Sequence, residues 1–83
     1  MWEKLKEHEG EVFHTVSGLP FTYEFIKDNA FVLYRDGKRI NRIVYKSQFD
    51  KAIAMNPEKM TDISYKIIAG AYIYALMQDD RIN

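Results

Sequence analysis

The sequence predicts an α+β domain: a short N-terminal helix, an antiparallel meander of three or four strands over residues 11–44, and two C-terminal helices packed on one sheet face. Three observations predict it. Residues 21–27 alternate strictly, with Phe21, Tyr23 and Phe25 on one side and Thr22 and Glu24 on the other, the pattern of a strand buried on one face. Asp36-Gly37, set between two β-prone runs, is the strongest short hairpin signal in the chain. Ile63, Ile67, Ala71, Tyr74 and Leu76, flanked by Ile68, Tyr72 and Ala75, make an apolar face broad enough for a helix lying on a sheet.

Trp2 and Leu5 share a helical face, which predicts a first helix over residues 2–8, stopped by Gly10. Residues 11–16 turn to β-branched and aromatic side chains and predict a strand, closed by the turn-forming run Ser17-Gly18-Leu19-Pro20. Asp28-Asn29 tolerates left-handed backbone angles and predicts a two-residue turn between strand 21–27 and strand 30–35. Residues 39–44 then pair back on residues 31–35. Ser47 is the predicted cap of a helix over residues 48–55, with Asp50 answering from its first turn. Phe49, Ile53 and Ala52 form that helix's stripe, and Asn56-Pro57 ends it. The last helix starts near Thr61 or Asp62 and ends at Asp79-Asp80-Arg81. Gly70 inside it costs about 1 kcal/mol relative to Ala, so a close packing contact is expected there. The predicted core is Leu5, Val12, Phe21, Tyr23, Phe25, Phe31, Leu33, Phe49, Ile53, Ile63, Ile67, Ala71 and Leu76.

Eighty-three residues, 47% hydrophobic and with twelve aromatics against two Pro and four Gly, are the composition of one small folded domain over residues 1–83. The absence of Cys excludes disulfides, thiolate nucleophiles and Cys-based zinc sites, and fits a reducing, cytoplasmic compartment. Residues 1–11 alternate charges and lack the apolar run of a signal peptide. The longest apolar segment, near residues 67–77, falls short of the roughly 18 to 20 residues that cross a bilayer, so no membrane partner is expected.

One segment departs from the balanced charge of the whole. Residues 35–46 carry Arg35, Lys38, Arg39, Arg42 and Lys46 against Asp36 alone, a net of plus four in a chain of zero net charge. Strand alternation puts Arg42 and Lys46 on the side of Ile40 and Val44, and Arg39 on the side of Asn41, Ile43 and Tyr45. A hairpin tip bearing Arg35, Lys38 and Arg39, with Tyr34 or Tyr45 beside it for stacking, can contact phosphates along a nucleic-acid backbone. The same residues also suit an edge strand, where Lys and Arg discourage strand-on-strand aggregation.

Other chemistry finds little support. His8 and His14 are the only histidines, and no spacing specifies the convergent ligands a metal needs; His14 is expected as a partly buried cross-strand neighbour. Ser17 lies in a turn and Ser47 in a cap, and Ser64 has no base specified beside it. Glu3, Glu7, Glu9 and Glu11 interleave with lysines as a solvated face does. The glycines form no phosphate-cradling loop, and no cofactor is called for.

Phe13-x-Thr15-x-x-Gly18-x-x-Phe21-x-Tyr23, then Arg35, Lys46-Ser47-x-Phe49, Gly70-Ala71-Tyr72-Ile73-Tyr74-Ala75-Leu76 and Asp79-x-Arg81-Ile82 together resemble small domains of unassigned function in bacteria and their phages and mobile elements. The resemblance assigns no activity to particular residues. It implies a setting in which small Cys-free proteins bind nucleic acid or block a host protein. The expectation is therefore a non-enzymatic binding module, nucleic-acid-associated through Arg35, Lys38, Arg39, Arg42 and Lys46. The alternative is a protein–protein adaptor or inhibitor, or a homodimer, that uses exposed Tyr and Trp side chains.

Overall fold

The alternating aromatics of the chain's middle form strand β2 (Pro20–Lys27), and a two-residue turn at Asp28-Asn29 folds it back into β3 (Ala30–Arg35). A second two-residue turn leads into β4 (Lys38–Tyr45). Asp36 and Gly37 both have positive φ, 52° and 75°, the geometry whose twist matches that of the flanking strands. A two-residue strand β1 (Phe13–His14) adds to the other side of β2, giving an antiparallel sheet in the order β1-β2-β3-β4. Helix α1 (Trp2–Glu7) precedes the sheet, and α2 (Lys46–Met55) and α3 (Gly70–Gln78) follow it. This computed structural model describes residues 1–56 and 69–83, and its architecture is the predicted α+β arrangement. No helix among the described residues is long and apolar enough to cross a membrane.

One face of the sheet carries the core. Phe13, Phe21, Tyr23, Phe31, Leu33 and Val44 point into it and meet Trp2 and Leu5 of α1, Phe49 and Ala52 of α2, and Ile73, Leu76 and Met77 of α3. Rings dominate this cluster. Trp2 lies 5.4 Å from Phe25 edge-on, 5.7 Å from Phe31 and 5.8 Å from Phe49, while Tyr23 lies 5.2 Å from Phe31 and 5.6 Å from Phe13. Two polar handles then fix α1 against the sheet: the Trp2 Nε1–H donates to the Asp28 carbonyl at 2.9 Å, and the buried Tyr23 hydroxyl donates to the Leu5 carbonyl at 2.5 Å. Burial pushes the Tyr23 hydroxyl's pKa upward, so it stays protonated and a donor.

Several expectations are corrected by register. Phe13 pairs with Phe21, so Phe13 takes the core face and Val12, expected there, points outward and is half exposed. β1 is two residues long instead of six. The Thr15 hydroxyl accepts the Leu19 N–H at 3.1 Å, bending the chain away, and Arg81 occupies the Val12 carbonyl at 3.0 Å. The short β1 leaves β2 to be sealed otherwise: Gly10 N–H donates to the Tyr23 carbonyl at 3.3 Å, and Glu9 accepts the Phe25 N–H at 2.5 Å.

The entry to α2 also differs. β4 runs straight into the helix, which begins at Lys46, and the capping role expected of Ser47 falls to Gln48, whose Oε1 accepts the Tyr45 N–H at 2.9 Å. Asp50 pairs with Lys46 at 2.9 Å. The buried stripe of α2 runs Phe49–Ala52, with Met55 packed beside it, and Ile53 is left exposed. Asn56 closes α2 in the left-handed conformation, φ 47°. Gly70 is the first residue of α3, preceded by a left-handed Ala69 (φ 61°), so it carries no mid-helix penalty. Ala71 is only half buried. The expected helix start near Thr61 or Asp62, and Ile63, Ile67, Ile68, Ser64 and Tyr65, lie outside the described residues.

Trp2→Ala is expected to lower the unfolding free energy by about 3–5 kcal/mol, and Tyr23→Phe by about 1 kcal/mol through loss of one buried hydrogen bond. Urea unfolding followed by circular dichroism measures both. A Trp2→Ala variant within 1 kcal/mol of the native protein contradicts the packing described.

Candidate functional site

The basic segment forms the end of β3, the tip turn and all of β4, the terminal strand of the sheet among the described residues. Its five cations do not stay together. Arg35 shares the core-face parity of Phe31 and Leu33, and its Nη1 donates to the Tyr72 hydroxyl of α3 at 3.2 Å. Lys46 lies in the first turn of α2, tied to Asp50. Lys38, Arg39 and Arg42 remain exposed along β4.

β4 is not a regular strand. Val32 pairs with Ile43 and Tyr34 with Arg39, so Ile40, Asn41 and Arg42 together face Leu33 alone. Two extra residues preserve parity, and Ile40 and Val44 both pack on the core. The bulge also strengthens the local twist and re-aims the side chains that it carries. Arg39 lies directly across from Tyr34, which in turn lies across from Thr22, making a row over three strands on the face opposite the core. Tyr34 is half buried.

Charge pairing separates these cations from the others. Lys4 meets Glu7 at 3.8 Å, Lys6 meets Asp28 at 4.0 Å, and Arg81 binds both Asp79 and Glu11. Lys27 stands 5.2 Å over the Tyr45 ring. Among the described residues Lys27, Arg35, Lys38, Arg39, Arg42 and Lys51 have no carboxylate partner, and of these Lys38, Arg39 and Lys51 make no side-chain hydrogen bond or ring contact, while Arg42 Nη1 donates to the adjacent Asn41 carbonyl at 3.4 Å. At the other end of the strands α1 sits against Asp28 through Trp2 and Lys6, and Glu9 binds Phe25. The protein is electrically neutral as a whole, and Lys38 and Arg39 follow a turn that itself carries Asp36.

The expected aromatic surface is smaller than its composition suggests. Trp2, Tyr23 and Tyr74 are buried, Tyr34 and Tyr72 half buried, and Tyr45 alone is exposed among the described tyrosines. His14 is exposed beside Pro20, and not partly buried as expected. His8 Nδ1 lies 2.7 Å from Glu11. Among the described residues no three His, Asp or Glu side chains gather as a metal would need. Ser17 shares a 3.1 Å hydrogen bond with Thr15, with no base beside it among the described residues.

One cluster was not singled out by sequence reasoning. Arg81 makes two bonds of 2.9 Å to Asp79, a 3.1 Å bond to Glu11 and a 3.0 Å bond to the Val12 carbonyl, and it stacks 3.7 Å from the Phe13 ring. It clasps the chain's C-terminal turn, where Ile82 is buried, to the segment between α1 and β1. The Asp-x-Arg spacing was its only sequence signal. Hydrogen bonds from Arg81 hold the Asp79 carboxyl below its ordinary pKa, and bonds from His8 and then Arg81 do the same for Glu11. Comparison with family models, curated proteins and solved structures finds no match to the chain.

Carboxyls whose pKa falls on folding add stability above their ordinary values, 4.5 for Glu11 and 3.8 for Asp79, and lose it as pH drops through the folded values. Acid titration of unfolding should therefore show a steeper loss below pH 4.5 for the native protein than for Arg81→Met. Parallel curves contradict the clasp.

Proposed function

We propose that the protein is a non-enzymatic binding module that holds a nucleic-acid backbone through the β3–β4 hairpin, with Lys38, Arg39 and Arg42 on phosphates. The observation that carries the reading is the set of three exposed cations on one strand with no carboxylate partner among the described residues, where the other described cations, Lys51 apart, are all engaged. On meeting a phosphate such a cation breaks no ion pair, Arg42 giving up only a 3.4 Å bond to the Asn41 carbonyl, and each contact releases condensed counterions from the polyanion. Arg35 and Lys46 act as supports: Arg35 ties the hairpin's tip to α3, and Lys46 with Asp50 steadies the start of α2.

The alternative, a protein partner or second copy bound through an aromatic surface, has less to work with, because the single Trp and two of the described tyrosines are interior. Salt separates the two readings. Three phosphate contacts give a slope of about −2.7 in log affinity against log salt on duplex, or about a 40-fold loss between 50 and 200 mM.

Titration into labelled duplex and single-stranded DNA and RNA at both salts tests this, beside a Lys38→Glu, Arg39→Glu, Arg42→Glu variant checked for folding by circular dichroism. Salt-steep binding that the folded variant lacks is expected. No binding at low salt, or equal binding by the variant, overturns the proposal.

A further inference from the structure

On the face opposite the core, Thr22 and Tyr34 line an open depression of about 220 Å³, and Arg39 pairs with Tyr34 on the next strand. Val12 and Pro20 flank it, Thr22 and Tyr34 form its floor, and the Asp36-Gly37 turn closes its end. The depression owes its shape to features already described. Register turns Val12 outward, and the left-handed turn at Asp36 and Gly37 brings both residues into the lining.

Its chemistry is selective. Tyr34 offers a half-buried ring, Val12, Pro20 and Phe21 line the depression with apolar surface, and Asp36 is the one charged residue in its lining. Arg39 stands directly across the strand pair from Tyr34, whereas Lys38 pairs with Arg35 and takes the opposite parity. A planar, uncharged group attached to a chain of negative charges fits such a surface: the ring stacks on Tyr34 while a phosphate flanking it reaches Arg39. An aliphatic side chain of a protein partner fits the walls, but it leaves the adjacent Arg39 unanswered. A base inside a duplex is stacked and paired and cannot lie flat on Tyr34 without being pulled out at a cost of a few kcal/mol.

Resting on the phosphate-binding reading above, we propose that the protein's ligand is single-stranded nucleic acid, with one unstacked base seated on Tyr34 and a flanking phosphate held by Arg39. Thr22 and the Asp36-Gly37 backbone border the base's edge, and Tyr34 supplies affinity that salt does not remove.

The test compares native protein, Tyr34→Leu and Tyr34→Phe on three probes: a short mixed-sequence single strand, an abasic single strand of equal length, and a duplex of the same sequence. Stacking of one base predicts that Tyr34→Leu loses about tenfold on the base-bearing single strand and nothing on the other two probes, with an unchanged salt slope, while Tyr34→Phe binds as native. The native protein itself should hold the base-bearing strand about tenfold tighter than the abasic one, a readout independent of how either variant folds. Equal affinity of the native protein for base-bearing and abasic strands overturns the base site and leaves the phosphate reading standing. Absence of salt-sensitive binding to any probe overturns both.

Discussion

The structure depends on the packing of Trp2 among Phe25, Phe31 and Phe49. A six-residue helix has no stability of its own, since a few intrahelical bonds cannot offset the entropy of ordering it. α1 exists because Trp2 and Leu5 bury their side chains in the sheet's core face and because two long-range hydrogen bonds hold it there. In turn α1 covers the rings of β2 and β3 that face it. The Trp2 Nε1–H bond to Asp28 pins the β2–β3 turn, and the Glu9 and Gly10 bonds that follow from the helix's position seal the edge of β2. Eighty-three residues bury a modest share of their surface, so large rings concentrated on one sheet face are an efficient source of stabilisation.

That concentration leaves β4 lightly loaded. It gives the core Val44 and the partly buried Ile40, and the bulge between them allows two additional residues without moving either apolar side chain off its face. Positions that packing does not need are free to carry Lys38, Arg39 and Arg42. The same logic explains why Arg35 and Lys46, at the ends of the segment, are engaged: each lies where a helix docks, and each answers a partner on that helix. An edge strand guarded by cations and an edge strand that binds phosphate are physically compatible, because the charge that repels another strand is the charge that attracts a polyanion.

Much of the fold was legible in the chain. The strict alternation of residues 21–27 and the Asp36-Gly37 pair each encode a local geometry with few alternatives, and both appear where expected. Harder to read were positions decided by pairing. Val12 and Phe13 are both apolar neighbours, and only the register Phe13–Phe21 chooses which one is interior. Ser47 looks like a cap, but a strand that enters a helix without a loop moves the boundary to Lys46, whose N–H still donates to the Asn29 carbonyl at 2.8 Å. The basic segment itself was plain from composition. Its sorting into three exposed cations along β4 and two that answer a helix was not, because that depends on α2 and α3 meeting β3 and β4. The clasp made by Arg81 was illegible for the same reason: its partners Glu11 and Val12 lie at the far end of the sequence.

The central claim is that this neutral protein presents one polyanion-binding end, and amide chemical-shift mapping tests it most directly. In a titration of isotope-labelled protein with unlabelled single-stranded nucleic acid at low salt, the account predicts shifts confined to the amides of Tyr34, the Asp36-Gly37 turn and residues 38–43, with α1 and the Arg81 clasp unmoved. Shifts centred on α1 and the Asp28-Asn29 turn, or no shifts at all, contradict it.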